Sequence, residues 1–445
     1  MTNKIGSQRG VPDHWARPAR RTSRPWALVL SSTLVAAIIG QAGAQTSANV
    51  APAQTASACA TRGVWIDLKT GQPIDRGELF RDLVARNSVV LLGESHTDAD
   101  HHRWQLHTLA ALHGRGGNIV IGFEAFPRRL QAVLDDWVEG KLTEDAFLKA
   151  SEWRQVWGYD AALYMPLFQF ARLNRIPMVA LNVEQKLVSR VGQQGWENVP
   201  ASEREGLSTP APASPAYQRE LARVYLIKKA LPPGADPISV SQGPSPPEPD
   251  EAAVDEAVKQ PEFQRFVEAQ LTWDRAMAEA LAGAKRRFSN ATAVGILGSG
   301  HVEGGYGVSH QLKDLGIAEV TSLIPVPTDA ACMLVGTSFA DAVFTLPHAD
   351  ETPPAERPRL GVALAEGDGA PRINRVIDKS VAEVAGLKVG DQVIRAAGLT
   401  IRNPDELVEV IARQAPGTWL PLSIRRDGQE IDLVAKFPTR PRQDQ

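Results

Sequence analysis

Val89-Val90-Leu91-Leu92-Gly93-Glu94-Ser95-His96 decides the fold. Its first four residues are apolar without interruption, as expected of a short strand buried on both faces. The glycine and the charged residues after it mark the point where that strand leaves the core. A helical pattern follows to His113, with Leu106, Leu109 and Leu112 on one side. Similar apolar runs recur at Ile119–Phe123, Met178–Leu181, Ala293–Leu297 and Val320–Ile324. Helical patterns over 129–138, 144–150 and 161–173 separate the second run from the third. Short buried strands alternating with helices predict an α/β domain, with a mainly parallel layered sheet flanked by helices. Strand order is not fixed by this pattern.

The chain has 445 residues, 43% of them hydrophobic and 22% charged, with a formal net charge of −3. That balance offers no electrostatic footprint for nucleic acid. The length calls for more than one core. Arg17, Arg20, Arg21 and Arg24 precede an apolar run from Trp26 to Ile39 and a small-residue stretch ending at Ala44, so 1–44 is expected to be a signal peptide. Export to the periplasm or envelope follows from it. Residues 45–61 are expected to form a flexible tether, and the main domain to span 62–347. Within it, 200–285 is read as a helical insertion with a disordered loop at about 232–252. The proline- and acid-rich segment 348–359 is expected to be a linker, 360–438 a second domain and 439–445 a tail. Cys59 and Cys332 leave open both a disulfide and lipidation at Cys59.

Chemistry gathers just past the strands. Glu94 and His96 follow the first, Glu124 ends the second, Asn182 and Glu184 follow the third, and His301 follows the fourth in Gly298-Ser299-Gly300-His301. Polar residues at the carboxyl ends of successive parallel strands converge on one site. Imidazoles and carboxylates there suit either a divalent metal ion or acid–base chemistry. The aspartates between His96 and His101 also suit capping of the helix that follows.

The ordered motifs GESH, the consecutive His101 and His102, GFEAFPRR, WGYDAALYMPLFQFARLNRIPMVALN and GSGHVEGGYG resemble the ChaN family, within the Tiki and erythromycin-esterase superfamily. The resemblance covers roughly residues 75 to 325. It implies an exported protein of bacterial iron acquisition that binds haem or a related tetrapyrrole through a tyrosine, with histidine nearby. Tyr164 and Tyr306 are the candidate iron ligands, with His101 and His102 as neighbours. The hydrolases of the superfamily imply an alternative, in which Glu94, His96, Glu124 and His301 activate water directly or through a metal. Where relatives often carry an acid straight after the first histidine, this chain has Thr97 and then Asp98.

The segment Ser380 to Asp391 resembles a bacterial PDZ domain. That resemblance implies a small β-rich module taking the C-terminus of a peptide or protein as an added strand. Leu360, Gly361 and Val362 would form the carboxylate loop, and Leu407 and Ile411 would line the groove. A third reading makes the chain a PDZ adaptor above all.

Overall fold

The computed structural model describes residues 61–86, 88–231, 248–346, 358–365 and 369–439. The expected signal peptide, Cys59, most of the tether, most of the linker and residues 440–445 of the tail lie outside them. The chain divides into two compact units, one ending at 351 and the other beginning at 352.

The first unit is built on eight strands: β1 (Trp65–Asp67), β2 (Pro73–Ile74), β3 (Val89–Glu94), β4 (Asn118–Pro127), β5 (Met178–Asn182), β6 (Ala291–Gly298), β7 (Val320–Pro327) and β8 (Ala342–Leu346). Their order across the sheet is β2-β1-β8-β7-β3-β6-β4-β5. Strands β3 to β8 run parallel, and β1 runs antiparallel to both its neighbours, β2 and β8. The mainly parallel α/β sheet read from the sequence is present. The two short antiparallel strands are additions that no apolar run announced. Trp65 of β1 pairs with Phe344 of β8, their rings 5.2 Å apart, so the first strand is zipped to the last.

The uninterrupted apolar runs have a direct cause. Alternate residues of β3 enter two different cores, Val89 and Leu91 on one face and Val90 and Leu92 on the other. Helices α1 (Ala99–His113) and α2 (Ala161–Leu173) cover the second face with an aromatic cluster around Phe123, Phe126, Phe147 and Phe168. Helix α3 (Gln185–Gln194) and the long helix α6 (Pro261–Arg287) cover the first.

Between β5 and β6 the chain also forms α4 (Pro215–Ala230) and α5 (Glu251–Val258), which pack with α6 around Tyr217, Leu221, Val254 and Phe263. The insertion is therefore helical and carries a small core of its own. One boundary differs from expectation. Asp250 accepts a hydrogen bond from the Ala253 N–H and caps α5 at Glu251, so helix occupies the end of the stretch read as loop to 252. Residues 232–247 lie outside the described set.

The second unit holds two antiparallel sheets. One pairs β9 (Val362–Leu364) with β10 (Ile373–Val376). The other, ordered β12-β11-β13-β14, comprises β11 (Gln392–Ala396), β12 (Leu399–Thr400), β13 (Trp419–Arg426) and β14 (Gln429–Lys436). Helix α7 (Pro404–Ala412) closes its core through Leu407 and Val410. Asp391 is buried and receives both Arg426 hydrogen bonds at 2.7 Å, which clamps the turn before β11 to β13.

Candidate functional site: two anchored imidazoles

Parallel pairing sets the site. Glu94 at the end of β3 stands beside Gly298 at the end of β6, and Phe123 pairs with Ile296, which brings Glu124 to the same rim. Glu94 is 1% exposed. Its Oε1 accepts from His96 Nδ1 at 2.8 Å and from the Tyr164 hydroxyl at 2.5 Å, and its Oε2 accepts from Gln105 Nε2 at 2.8 Å. Burial by itself would raise this carboxyl, but His102, His96 and Tyr164 outweigh burial and hold its pKa at about 2.

A second pair mirrors the first. His301 places Nδ1 2.6 Å from Asp274 Oδ1, and the other Asp274 oxygen accepts from the Tyr217 hydroxyl at 2.8 Å. Asp274 lies mid-way along α6 and is fully buried. Burial pushes the His301 pKa down, while Glu124 and Asp274 push it up harder, so the net shift is upward.

Both imidazoles thus hang from a carboxylate by Nδ1, which leaves each Nε2 for other work. His301 Nε2 lies 3.5 Å from Glu124 Oε1, and Glu124 Oε2 accepts the Gly298 N–H at 2.7 Å. A Cβ on Gly298 would fall 3.0 Å from His96 Nε2 and 3.6 Å from Glu124 Oε2. The glycine therefore keeps open the space that His96 and Glu124 share. Such a pair of anchored imidazoles flanking a carboxylate can accept and return protons. Of the strand-end residues expected from the sequence, Glu94, His96, Glu124 and His301 come together and Asn182 donates to the Glu124 carbonyl at 3.1 Å, whereas Glu184 turns outward to Arg129. Gln105, Asp274, Gln270 and Tyr217 join them without having been singled out. Among the described residues, no group of three or more His, Cys, Asp or Glu is placed to hold a metal ion.

The residues expected near haem separate. Tyr164 is 1% exposed and its hydroxyl is committed to Glu94, so it supports the buried carboxylate and does not present an open phenol. Burial and Glu94 raise its pKa well above the ordinary tyrosine value, which keeps it a phenol. His102 is buried against the Tyr164 ring at 4.3 Å, and its Nε2 donates to the His96 carbonyl. His101 Nδ1 accepts the Ser95 N–H, and Asp98 caps α1 through the Asp100 and His101 N–H groups, as the capping alternative foresaw. Tyr306 is different. It is half-buried and stacks on Tyr217 at 5.8 Å against the insertion core, on which Tyr225, Leu226 and Phe266 also pack. Lys228 Nζ stands over the Phe266 ring and has no hydrogen-bond partner, and Lys229 stands over Tyr225. Burial pushes the Lys228 pKa down to about 8. A ferric haem needs a phenolate, apolar walls and cations for its propionates; the insertion core offers residues of each kind, and the Tyr164 surroundings do not.

In the second unit Gly361 has φ +86°, and a Cβ there would meet the Ser380 Cβ at 2.2 Å. The Leu360 and Gly361 carbonyls accept from Ala382 and Ile377, which fixes the loop. Leu360 and Leu407 are both buried in the core, whereas Val362 and Ile411 remain partly exposed. Of these four, only Val362 and Ile411 keep side-chain surface.

Family comparison agrees with this anatomy. Residues 81–312 match the model of the haem-binding uptake family, Tiki superfamily, ChaN. The chain belongs to the ChaN family. Residues 358–436 match the PDZ domain. Among solved structures, cofacial haem-bound ChaN of Campylobacter jejuni is 15% identical over 63% of this chain and 95% of its own, with a TM-score of 0.44. The HtrA-type protease AlgW with a decapeptide is 23% identical over 19% of this chain and 30% of its own, TM-score 0.18. The serine endoprotease from Yersinia pestis is 23% identical over 18% and 29%, TM-score 0.17. This ChaN-family chain thus spans less than a third of the length of those two proteases, and no curated protein matches it.

Proposed function

We propose that the chain is an exported haem-binding protein of bacterial iron acquisition whose PDZ domain docks the C-terminus of a peptide or protein partner. The observation that carries the reading is the ChaN family match over residues 81–312. The basic-apolar-small N-terminal pattern supports export, as does Cys332 being disulfide-bonded. Cys59, the other cysteine, lies outside the described residues.

Tyr306 is the residue that would hold the iron, and Lys228 and Lys229, over the Phe266 and Tyr225 rings of the same insertion core, are the cations that could meet its propionates. Bound there, haem supplies a ferric centre with a phenolate ligand. The chain's own part is to orient the phenol: Tyr217 stacks beneath it, and Tyr217 is itself fixed by Asp274.

Haem titration of the full chain tests this. The expected result is a saturable Soret shift that Tyr306→Phe abolishes and Tyr164→Phe keeps. A second reading rests on the two anchored imidazoles beside Glu124. Water activation by that group makes the chain a hydrolase of small ester or amide bonds. Absence of a saturable Soret shift, together with hydrolysis lost in Glu124→Gln, overturns the first reading in favour of the second.

The PDZ proposal has its own check. Gly361→Ala forces a left-handed backbone and a collision with Ser380, so C-terminal peptide binding measured by fluorescence anisotropy is expected to weaken at least about tenfold. Unchanged peptide affinity in this variant would remove the loop from the proposed groove.

A further inference from the structure

The end of the sheet opposite the anchored imidazoles holds a cavity of about 430 Å³ where β4 and β6 begin and the chain enters β5. That volume is in the range of small-molecule sites. Ile119, Ile176 and Pro177 give it apolar lining, and Arg175, Arg287 and His113 stand among its walls. No carboxylate is among its described lining residues. His113 Nδ1 is buried without a hydrogen-bond partner. Arg287 lies over the Phe288 ring at 5.1 Å, both arginines are exposed, and neither makes an ion pair among the described residues. Two exposed guanidiniums without a carboxylate partner, beside apolar residues, can take up a flat anion.

Arg175 carries a further argument. After α2 the Ile176 N–H bonds back to Ala171 O at 2.8 Å and the Arg175 N–H to Arg172 O at 3.2 Å, the pattern that ends a helix through a left-handed residue. Arg175 occupies that left-handed position with φ 52°. Glycine or asparagine is the residue such a turn favours. An arginine there costs stability relative to glycine.

We propose that this cavity binds a small ligand with a flat apolar body and one acidic group, held between the Arg175 and Arg287 guanidiniums and contacted by His113. Three helix carboxyl ends meet at the cavity, those of α1, α2 and α6. Their terminal carbonyls carry partial negative charge, so hydroxyl or amine groups on the ligand are favoured there and the acid must sit at the guanidiniums. The site is independent of the haem reading and shares no residue with it.

Two fluorescent probes test it on the full chain: anilinonaphthalenesulfonate, a flat anion, and its uncharged counterpart phenylnaphthylamine. The sulfonate is expected to saturate with a Kd about tenfold below that of the neutral probe and to shift the His113 ring resonances in NMR spectra. Arg175→Gly and Arg287→Ala should each weaken the sulfonate about tenfold and leave the neutral probe unchanged. Arg175→Gly should also hold or raise Tm, which separates lost binding from lost folding. Tyr306→Phe should change none of this. Equal affinity for the two probes, unmoved His113 resonances, or native sulfonate affinity in Arg175→Gly would each overturn the proposal.

Discussion

Glu94→Gln is expected to lower the unfolding free energy by about 3 kcal/mol at neutral pH. The native carboxylate accepts from His96, Tyr164 and Gln105 at once and lies 3.4 Å from His102 Nδ1. Glutamine keeps one acceptor oxygen and turns an amide N–H₂ toward groups that are themselves donors. Because the folded pKa falls from 4.5 to about 2, the ionised form is the stabilising one. Its contribution is complete above 4.5 and is lost as pH falls toward about 2. Urea unfolding from pH 7 downward should therefore show the native chain losing its advantage over Glu94→Gln across that interval. A variant as stable as the native chain at pH 7, or a difference that does not change on acidification, would refute the role of Glu94 as the hub of this site.

Asp274→Asn is expected to cost a similar amount, about 3 kcal/mol, because it leaves two buried donors, His301 Nδ1 and the Tyr217 hydroxyl, competing for one amide oxygen. The pH dependence runs the other way from that of Glu94. The folded His301 pKa is raised above 6.5, so its stabilisation is complete below 6.5 and is lost as pH rises through the raised value. The gap between native chain and variant should narrow above pH 6.5. NMR titration of the His301 ring gives a second readout, since removing the Asp274 charge should lower its pKa. An unchanged His301 titration in a folded variant would mean that Asp274 does not position the imidazole.

How far the sequence reveals this site depends on where each residue lies. The strands β3, β4, β5 and β6 were legible because both faces of the sheet are covered, which writes continuous apolar runs into short segments. The residues right after those strands were legible for the same reason. Asp274 was not. A lone acid inside a helix ordinarily faces water, and only its position one turn from Gln270, among buried Trp273, Ala276 and Met277, hinted at burial. Tyr217 was hidden too, because its meaning depends on a contact 57 residues away. Tyr164 misleads in the opposite sense: its sequence neighbourhood matches the family motif, yet its hydroxyl turns inward to Glu94. Strands β1 and β2 have only three and two residues, too few for periodicity to register.

The pairing of β1 with β8 sets synthesis and closure in opposite order. Val64 hydrogen-bonds to Thr345 across 281 positions, so the earliest strand has only β2 beside it until β8 is made. At bacterial elongation rates that wait is roughly 15–60 s. During it β1 carries one unpaired edge, a feature that attracts chaperones and other half-made chains. Joining residue 61 to residue 346 by a short peptide and opening the chain at an exposed turn would reverse that order, giving β1 and β8 to each other at the moment of synthesis.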